Sequence, residues 1–232
     1  MSRDADGWQG KAERAYAQLR ADIETGTLPP GQVLSEVELV EYTGASRTPV
    51  REAIRRLANE GLIELAPRRA PIVSRISLRG ARDLFDFRRL LEPAAIALVT
   101  ERLRDDASLA EPYERLRERF ERLKGQAYSP AFQEEFTAMT AEFDRLLASH
   151  VPNEYLARSI TDLRPHSARL RHIAHADVTR LHEAIEEHIE MCADILMGEA
   201  TRAAEAMTRH LHHVDQAIFH RLLHADAEVL VS

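Results

Sequence analysis

Apolar positions recur at helical spacing along most of this chain, and only one short region has strand character. In "KAERAYAQLRADIET", residues 11–25, Ala15, Leu19 and Ile23 fall on one face with Ala12 and Tyr16 beside them, which predicts a helix. Gly26 stops it, and "LPPG" at 28–31 predicts a rigid turn. A second helix is expected from Ser35, whose side chain can cap and which has Glu38 at capping-box spacing. "EVELVEYT" follows, with Val37, Leu39 and Val40 as its apolar contacts, and Gly44 ends it. A third helix begins at Ser46, a plausible N-cap, with Pro49 in its first turn where a missing N–H costs little. Val50, Ile54 and Leu57 form its apolar stripe, while Arg51 and Arg55 project from a face roughly 130° away by the helical period. After Gly61, "LIEL" and "PIVSRI" have strand character and flank "APRRA", which predicts a two-stranded ribbon with an arginine-bearing tip.

Residues 76–80, "ISLRG", form a short connector. Beyond it the pattern is helical throughout, in about six segments: 80–104, 108–125, 129–149, 153–175, 178–197 and 199–224. Pro112, Gly125, "SP" at 129–130, "HVPN" at 150–153 and Gly198 mark the breaks, and Pro93 and Pro165 inside segments predict kinks. The expected fold is mostly α. A helix-turn-helix with a ribbon occupies residues 1–75, and an all-α antiparallel bundle occupies 81–232.

Composition agrees with helices: only 6% of residues are aromatic, and 30% are charged. The longest apolar run, Ala94–Val99, is too short to span a bilayer, and the N-terminus lacks a signal peptide's apolar stretch. The single Cys192 excludes an intramolecular disulfide, fits a reducing cytoplasm and reads as a small core residue. Charge changes the picture more. The formal net charge is -7, yet residues 46–75 hold seven Arg against three Glu. A basic patch on an acidic chain predicts a polyanion-binding face.

A helix-turn-helix sets its second helix in the major groove of DNA, where the first two turns reach base edges and phosphates. Arg47 and Arg51 lie there, and Arg can pair bidentately with guanine or with phosphate. Ser46 and Thr48 can donate to phosphate, and Arg55 can track the backbone. Arg68 and Arg69 at the ribbon tip are placed for the minor groove. Arg56 is expected to pair with Glu52 on the surface instead. The stretch "LPPGQVLSEVELVEYTGASRTPVREAIRRLANEGLIELAPRRAPIVS" resembles the winged-helix domain of the GntR family of bacterial transcriptional regulators, over about residues 11–75. The resemblance implies DNA contacts at Ser46, Arg47, Thr48, Arg51 and the wing tip. The family's wing usually reads P-R-R-G; here Ala70 stands in the glycine's place, which predicts strain or a weaker contact if a positive φ is needed there.

All eleven histidines fall between His150 and His224. "FDFRRLLEPAAIALV" and "LHEAIEEHIEMCADILMGEATRAAEAMTRHLHHV" resemble the first and last helices of the FCD ligand-binding domain of the FadR subfamily, closest to its VanR-type branch. That resemblance implies a pocket with a divalent transition metal (Zn, Ni, Fe or Mn) on Asp144, His188 and His210. The family's Asp-x-x-x-His pair is altered, with Thr140 replacing Asp and Asp144 replacing His, so Thr140 becomes a second-layer hydrogen-bonder to the effector site. A metal-free pocket is the alternative, and His172 and His175 are candidate replacement ligands. Arg88 matches a recurrent family arginine, either a clamp for an effector carboxylate or an ion-pair partner of Glu92. The reading is a cytoplasmic, homodimeric transcriptional regulator, not an enzyme, that binds a pseudo-palindromic operator and a small carboxylate. The competing reading is a metalloenzyme with a two-His, one-carboxylate site.

Overall fold

The computed structural model describes residues 3–174 and 178–224, with side chains described over 10–171 and 178–223. The chain divides into two compact units that meet in sequence at Leu78 and Arg79. The first unit holds α1 (Arg3–Glu24), α2 (Glu36–Thr43), α3 (Arg47–Asn59), β1 (Ile63–Glu64) and β2 (Ile72–Val73). Ser35 caps α2, its Oγ accepting the Glu38 N–H at 3.4 Å, and Gly44 closes the helix in the left-handed region at φ 64°. Leu39 is buried, but Val37 is 58% exposed, so it does not supply the core contact its hydropathy suggested. On α3 the apolar stripe turns inward as expected: Val50, Ala53, Ile54 and Leu57 are buried with Leu19 and Ile23 of α1 and Leu34, Leu62 and Val73.

β1 and β2 pair antiparallel, Ile63 with Val73 and Glu64 with Ile72. The segment just after the LPPG turn adds to this ribbon. Val33 bridges Ile72, the Leu34 N–H donates to the Pro71 carbonyl at 2.7 Å, and the Val73 N–H donates to that of Gln32 at 2.9 Å. The wing is therefore held on both edges of β2.

The second unit contains α4 (Leu78–Asp105), a 3-10 turn at Ala107–Leu109, α5 (Glu111–Lys124), α6 (Pro130–His150), α7 (Glu154–Ala174), α8 (Val178–Leu196) and α9 (Ala200–His224). Helix α8 packs on α5 and α9, and α6 packs on α5 and α7. Their shared core includes Ile96, Val99, Tyr113, Phe120, Phe136, Met139, Phe143, Ile185, Cys192 and Leu211. Cys192 is a buried free thiol whose pKa burial pushes up to about 12, which leaves it protonated and inert. Pro93 and Pro165 lie within continuous helices. No helix among the described residues is long and apolar enough to cross a membrane.

Candidate nucleic-acid interface and sensor site

The expected DNA contacts gather on the exposed side of α3 and on the wing. Ser46 sits at the N-cap of α3 in extended conformation, yet its hydroxyl makes no capping bond, so it is not spent on the helix's own amides. Ser46, Arg47, Thr48, Arg51 and Arg55 are all exposed, opposite the buried stripe. The Arg51 Nε donates to the Glu36 carboxylate of α2 at 2.8 Å. With 58% and 35% of these side chains exposed, the pair is worth about 0.2–1 kcal/mol, little enough for phosphate to displace. Arg47 and Arg55 make no ion pair among the described residues.

Arg56 behaves differently from expectation. Its partner is Glu13 of α1 at 2.6 Å, not Glu52, and its guanidinium lies 3.7 Å from the centroid of the Tyr16 ring. Tyr16 in turn donates to Glu60 at 2.6 Å and accepts from Arg20 at 2.8 Å. Arg56 thus ties the back of α3 to α1. On the wing, Arg68 and Arg69 are both exposed. The left-handed residue is Arg68, at φ 63°, and not Ala70, so the expected strain at Ala70 does not arise. The turn is closed by the Arg69 N–H donating to the Ala66 carbonyl at 3.1 Å. An arginine pays the left-handed cost that glycine would avoid, which leaves its side chain at the tip.

In the bundle, Arg88, Asp144, His188 and His210 come into one neighbourhood, from α4, α6, α8 and α9, and Thr140 lies one turn before Asp144 on α6. Arg88 is 3% exposed; its Nε donates to Glu92 Oε1 at 2.6 Å and its Nη2 to Oε2 at 3.1 Å. The ion pair with Glu92 therefore exists, but it leaves Nη1 buried with no hydrogen-bond partner among the described residues. An unmet buried donor costs about 1–3 kcal/mol, more when charged, so this atom is a place for an acceptor to arrive. Thr140 is buried and donates to the Thr137 carbonyl at 3.0 Å. Asp144 accepts from Arg171 Nη1 at 2.6 Å. Burial works to raise its pKa, but Arg171, Arg88 and Arg164 outweigh it and hold the carboxyl below its ordinary value.

His188 is walled by Phe120, Phe136 and Phe143 and meets the His210 ring edge-on at 4.7 Å between centroids. Its Nδ1–H donates to the Ala184 carbonyl at 2.7 Å, which leaves the lone pair on Nε2. Burial, then the neighbouring His210, pushes its pKa down to about 3, so the ring is neutral. His210 Nδ1 lies 2.5 Å from Glu187 Oε2, and His213 Nδ1 lies 2.7 Å from Oε1. Arg180, buried at 6% exposure, also donates to that carboxylate. Despite its burial, Glu187 has its pKa strongly lowered by the hydrogen bonds from His210 and Arg180. Thr179, Arg180, Glu183, Glu187 and His213 line an open groove of about 540 Å³ beside it.

Sequence reasoning missed Glu187, Arg180, Arg164 and Arg171. They sit in helices rich in Arg and Glu, where surface pairs are the ordinary outcome, and only packing singles them out. The implied metal does not fit what is here. Among the described residues no group of three or more His, Cys, Asp or Glu is arranged to hold a metal ion. The one expected carboxylate ligand, Asp144, is engaged by a guanidinium instead. In this structure Asp144, His188 and His210 stand as an ion-paired carboxylate beside two imidazoles. Of the replacements considered, His175 lies outside the described residues and His172 lies on α7 with its side chain outside them.

Residues 11–73 match the bacterial regulatory proteins of the gntR family, and residues 83–213 match the FCD domain. The chain is 26% identical to the HTH-type transcriptional repressor RspR of Escherichia coli (strain K12), over 89% of this chain and 88% of that protein. It is 29% identical to a probable D-xylose utilization operon transcriptional repressor of Paenarthrobacter nicotinovorans, over 91% and 90% respectively. The solved structure of E. coli McbR/YncC shares the fold, with a TM-score of 0.73 at 23% identity, covering 91% of this chain and 98% of that one. The family and these relatives are transcriptional regulators, and nothing in them supports the metalloenzyme alternative. With the exposed arginine face on a helix-turn-helix and the helical body behind it in sequence, the chain belongs to the GntR family as a DNA-binding transcriptional regulator that carries an FCD domain.

Proposed function

We propose that the protein is a repressor that binds a pseudo-palindromic operator as a homodimer in the cytoplasm and is controlled by a small carboxylate taken up in the bundle. Residues 1–75 form the DNA-binding domain, 76–80, whose last three residues already open α4, join it to the next, and 81–232 form the effector and dimerisation domain. The observation that carries the DNA reading is the exposed row of Arg47, Arg51 and Arg55 on α3. Arg47 and Arg51 read bases, Ser46, Thr48 and Arg55 hold phosphates, and Arg68 and Arg69 enter the minor groove. Being named repressors, the E. coli and Paenarthrobacter relatives support the sign of regulation, and the second supports a metabolic target.

The effector reading rests on the buried Arg88, whose unmet Nη1 favours a carboxylate oxygen. Thr140, one turn from Asp144 on α6, is the second effector contact of this reading. The dimer reading is supported by an exposed apolar stripe on α4: Phe87 is 43% and Leu90 73% exposed, with Ala94 one turn further on. Effector binding would shift the population between DNA-competent and DNA-incompetent dimers. A gel shift with DNA from the flanking intergenic regions tests the core of this reading. Wild type should give sequence-specific retardation that Arg51→Ala loses at least tenfold; unchanged specific affinity in Arg51→Ala would overturn the recognition-helix assignment.

A further inference from the structure

We propose that in this chain the Asp144–Arg171 pair replaces the divalent metal, so that the bundle binds its effector's carboxylate directly through the guanidinium groups of Arg88 and Arg171. The inference rests on the carboxylate-sensor reading above and names how that site holds its ligand. Three observations carry it. First, the residue that should bring negative charge to a metal is already committed. Asp144 and Arg171 meet at 2.6 Å, with side chains only 17% and 12% exposed. Secondly, Thr140, which stands where the family has its other carboxylate, is a buried neutral hydroxyl bonded back to its own helix.

Thirdly, the local charge has the wrong sign for a cation. Arg88, Arg164 and Arg171 all act on Asp144, and Glu92 is the further carboxylate, held by Arg88. Guanidinium groups thus surround the one carboxylate expected to face the metal. They repel a divalent cation and attract a carboxylate. Arg88 offers the unmet, buried Nη1 for the first hydrogen bond. A guanidinium also supplies what the metal would have supplied, a fixed positive centre, and adds directional donors suited to a carboxylate fork. The two altered positions, Thr140 and Asp144, and the partner Arg171 thus form one coordinated change from cation-mediated to direct anion binding.

The full-length protein tests this in two ways. Purified protein is incubated with zinc or nickel, passed through gel filtration and measured for metal by elemental analysis. Wild type should retain far less than stoichiometric metal, whereas the double variant Thr140→Asp/Asp144→His, which restores the family's ligand pair, should retain at least tenfold more. Thermal melting with millimolar sodium succinate forms the second arm. Succinate should raise the wild-type melting temperature equally with and without EDTA. The rise should vanish in Arg171→Gln and return in part in Arg171→Lys. Stoichiometric metal in wild type, or a succinate response abolished by EDTA, would overturn direct binding while leaving carboxylate sensing intact. No succinate response under either condition would overturn both, and operator binding in a gel shift would still report on the regulator assignment separately.

Discussion

Arg51 and Arg56 lie five positions apart on one helix and do opposite jobs. Arg56 is locked between Glu13 and the Tyr16 ring, while Arg51 is held only by an exposed pair with Glu36. Arg56→Ala should therefore lower the stability of the head and leave the salt dependence of DNA binding unchanged, as read by melting and by anisotropy over a salt series. Arg55→Ala should do the reverse. It should shallow the slope of log K against log salt by about 0.9, the amount expected for one phosphate contact, with little change in melting temperature. His188 makes a pH prediction. Its folded pKa of about 3 lies below the ordinary 6.5, so the unfolded chain takes up a proton that the folded chain refuses. The stability this neutral ring contributes is present above pH 6.5 and is lost as pH falls below it, by about 1.4 kcal/mol per unit. His188→Gln should remove about one proton's worth of slope between about pH 6 and 4 in urea titrations, inside the window between the folded value of about 3 and the ordinary 6.5. Arg47, Arg51 and Arg55 could be picked from the sequence because their face follows from helical period alone. Arg56's partners could not, since Glu13 and Tyr16 are forty or more residues away.

Helix α3 was legible because its signals agree: a cap position, Pro49 in the first turn, and an apolar stripe at one period. Leu57 lies at the centre of that stripe with no exposed surface, and Leu57→Ala should cost about 2–5 kcal/mol in chemical denaturation of the head. Helix α2 was less so. Val37 looked like core but faces solvent, because a two-turn helix buries only the positions its neighbours can reach. The wing shows the limit more sharply. Its existence follows from two strand-like runs around "APRRA", but the residue that turns through the left-handed region is Arg68, one the motif comparison did not suspect. Arg68→Gly should stabilise the head by about 0.5–1 kcal/mol, since glycine adopts φ 63° without steric cost, and should weaken operator binding by removing a tip charge. Opposite signs in melting temperature and affinity would distinguish this from general damage; a loss of both would contradict the assignment.

At the scale of the whole molecule, the proposed dimer is what would join operator and effector. The α4 stripe of Phe87, Leu90 and Ala94 puts contiguous apolar surface into water on one face of a helix. Leu90→Glu should convert dimer to monomer in sedimentation equilibrium and weaken binding to a full operator far more than to a half-site; a variant that stays dimeric would move the interface elsewhere. The order of helices, their breaks and the basic stretch at 46–75 on an acidic chain follow from the chain alone, because period, caps and charge are local properties that no packing needs to complete. The DNA-reading face is in that class too, since one buried stripe on a single helix leaves its arginines outside. The sensor site is not. Its members come from α4, α6, α7, α8 and α9, far apart in sequence, and an Arg among many Arg carries no mark of its partner. Only the tertiary structure decided that Arg171 takes Asp144, that Glu187 gathers His210, His213 and Arg180, and that Arg88 keeps one nitrogen unmet. The physical reason is that burial turns weak surface charges into strong, mutually exclusive pairings, and burial is a property of the assembled bundle.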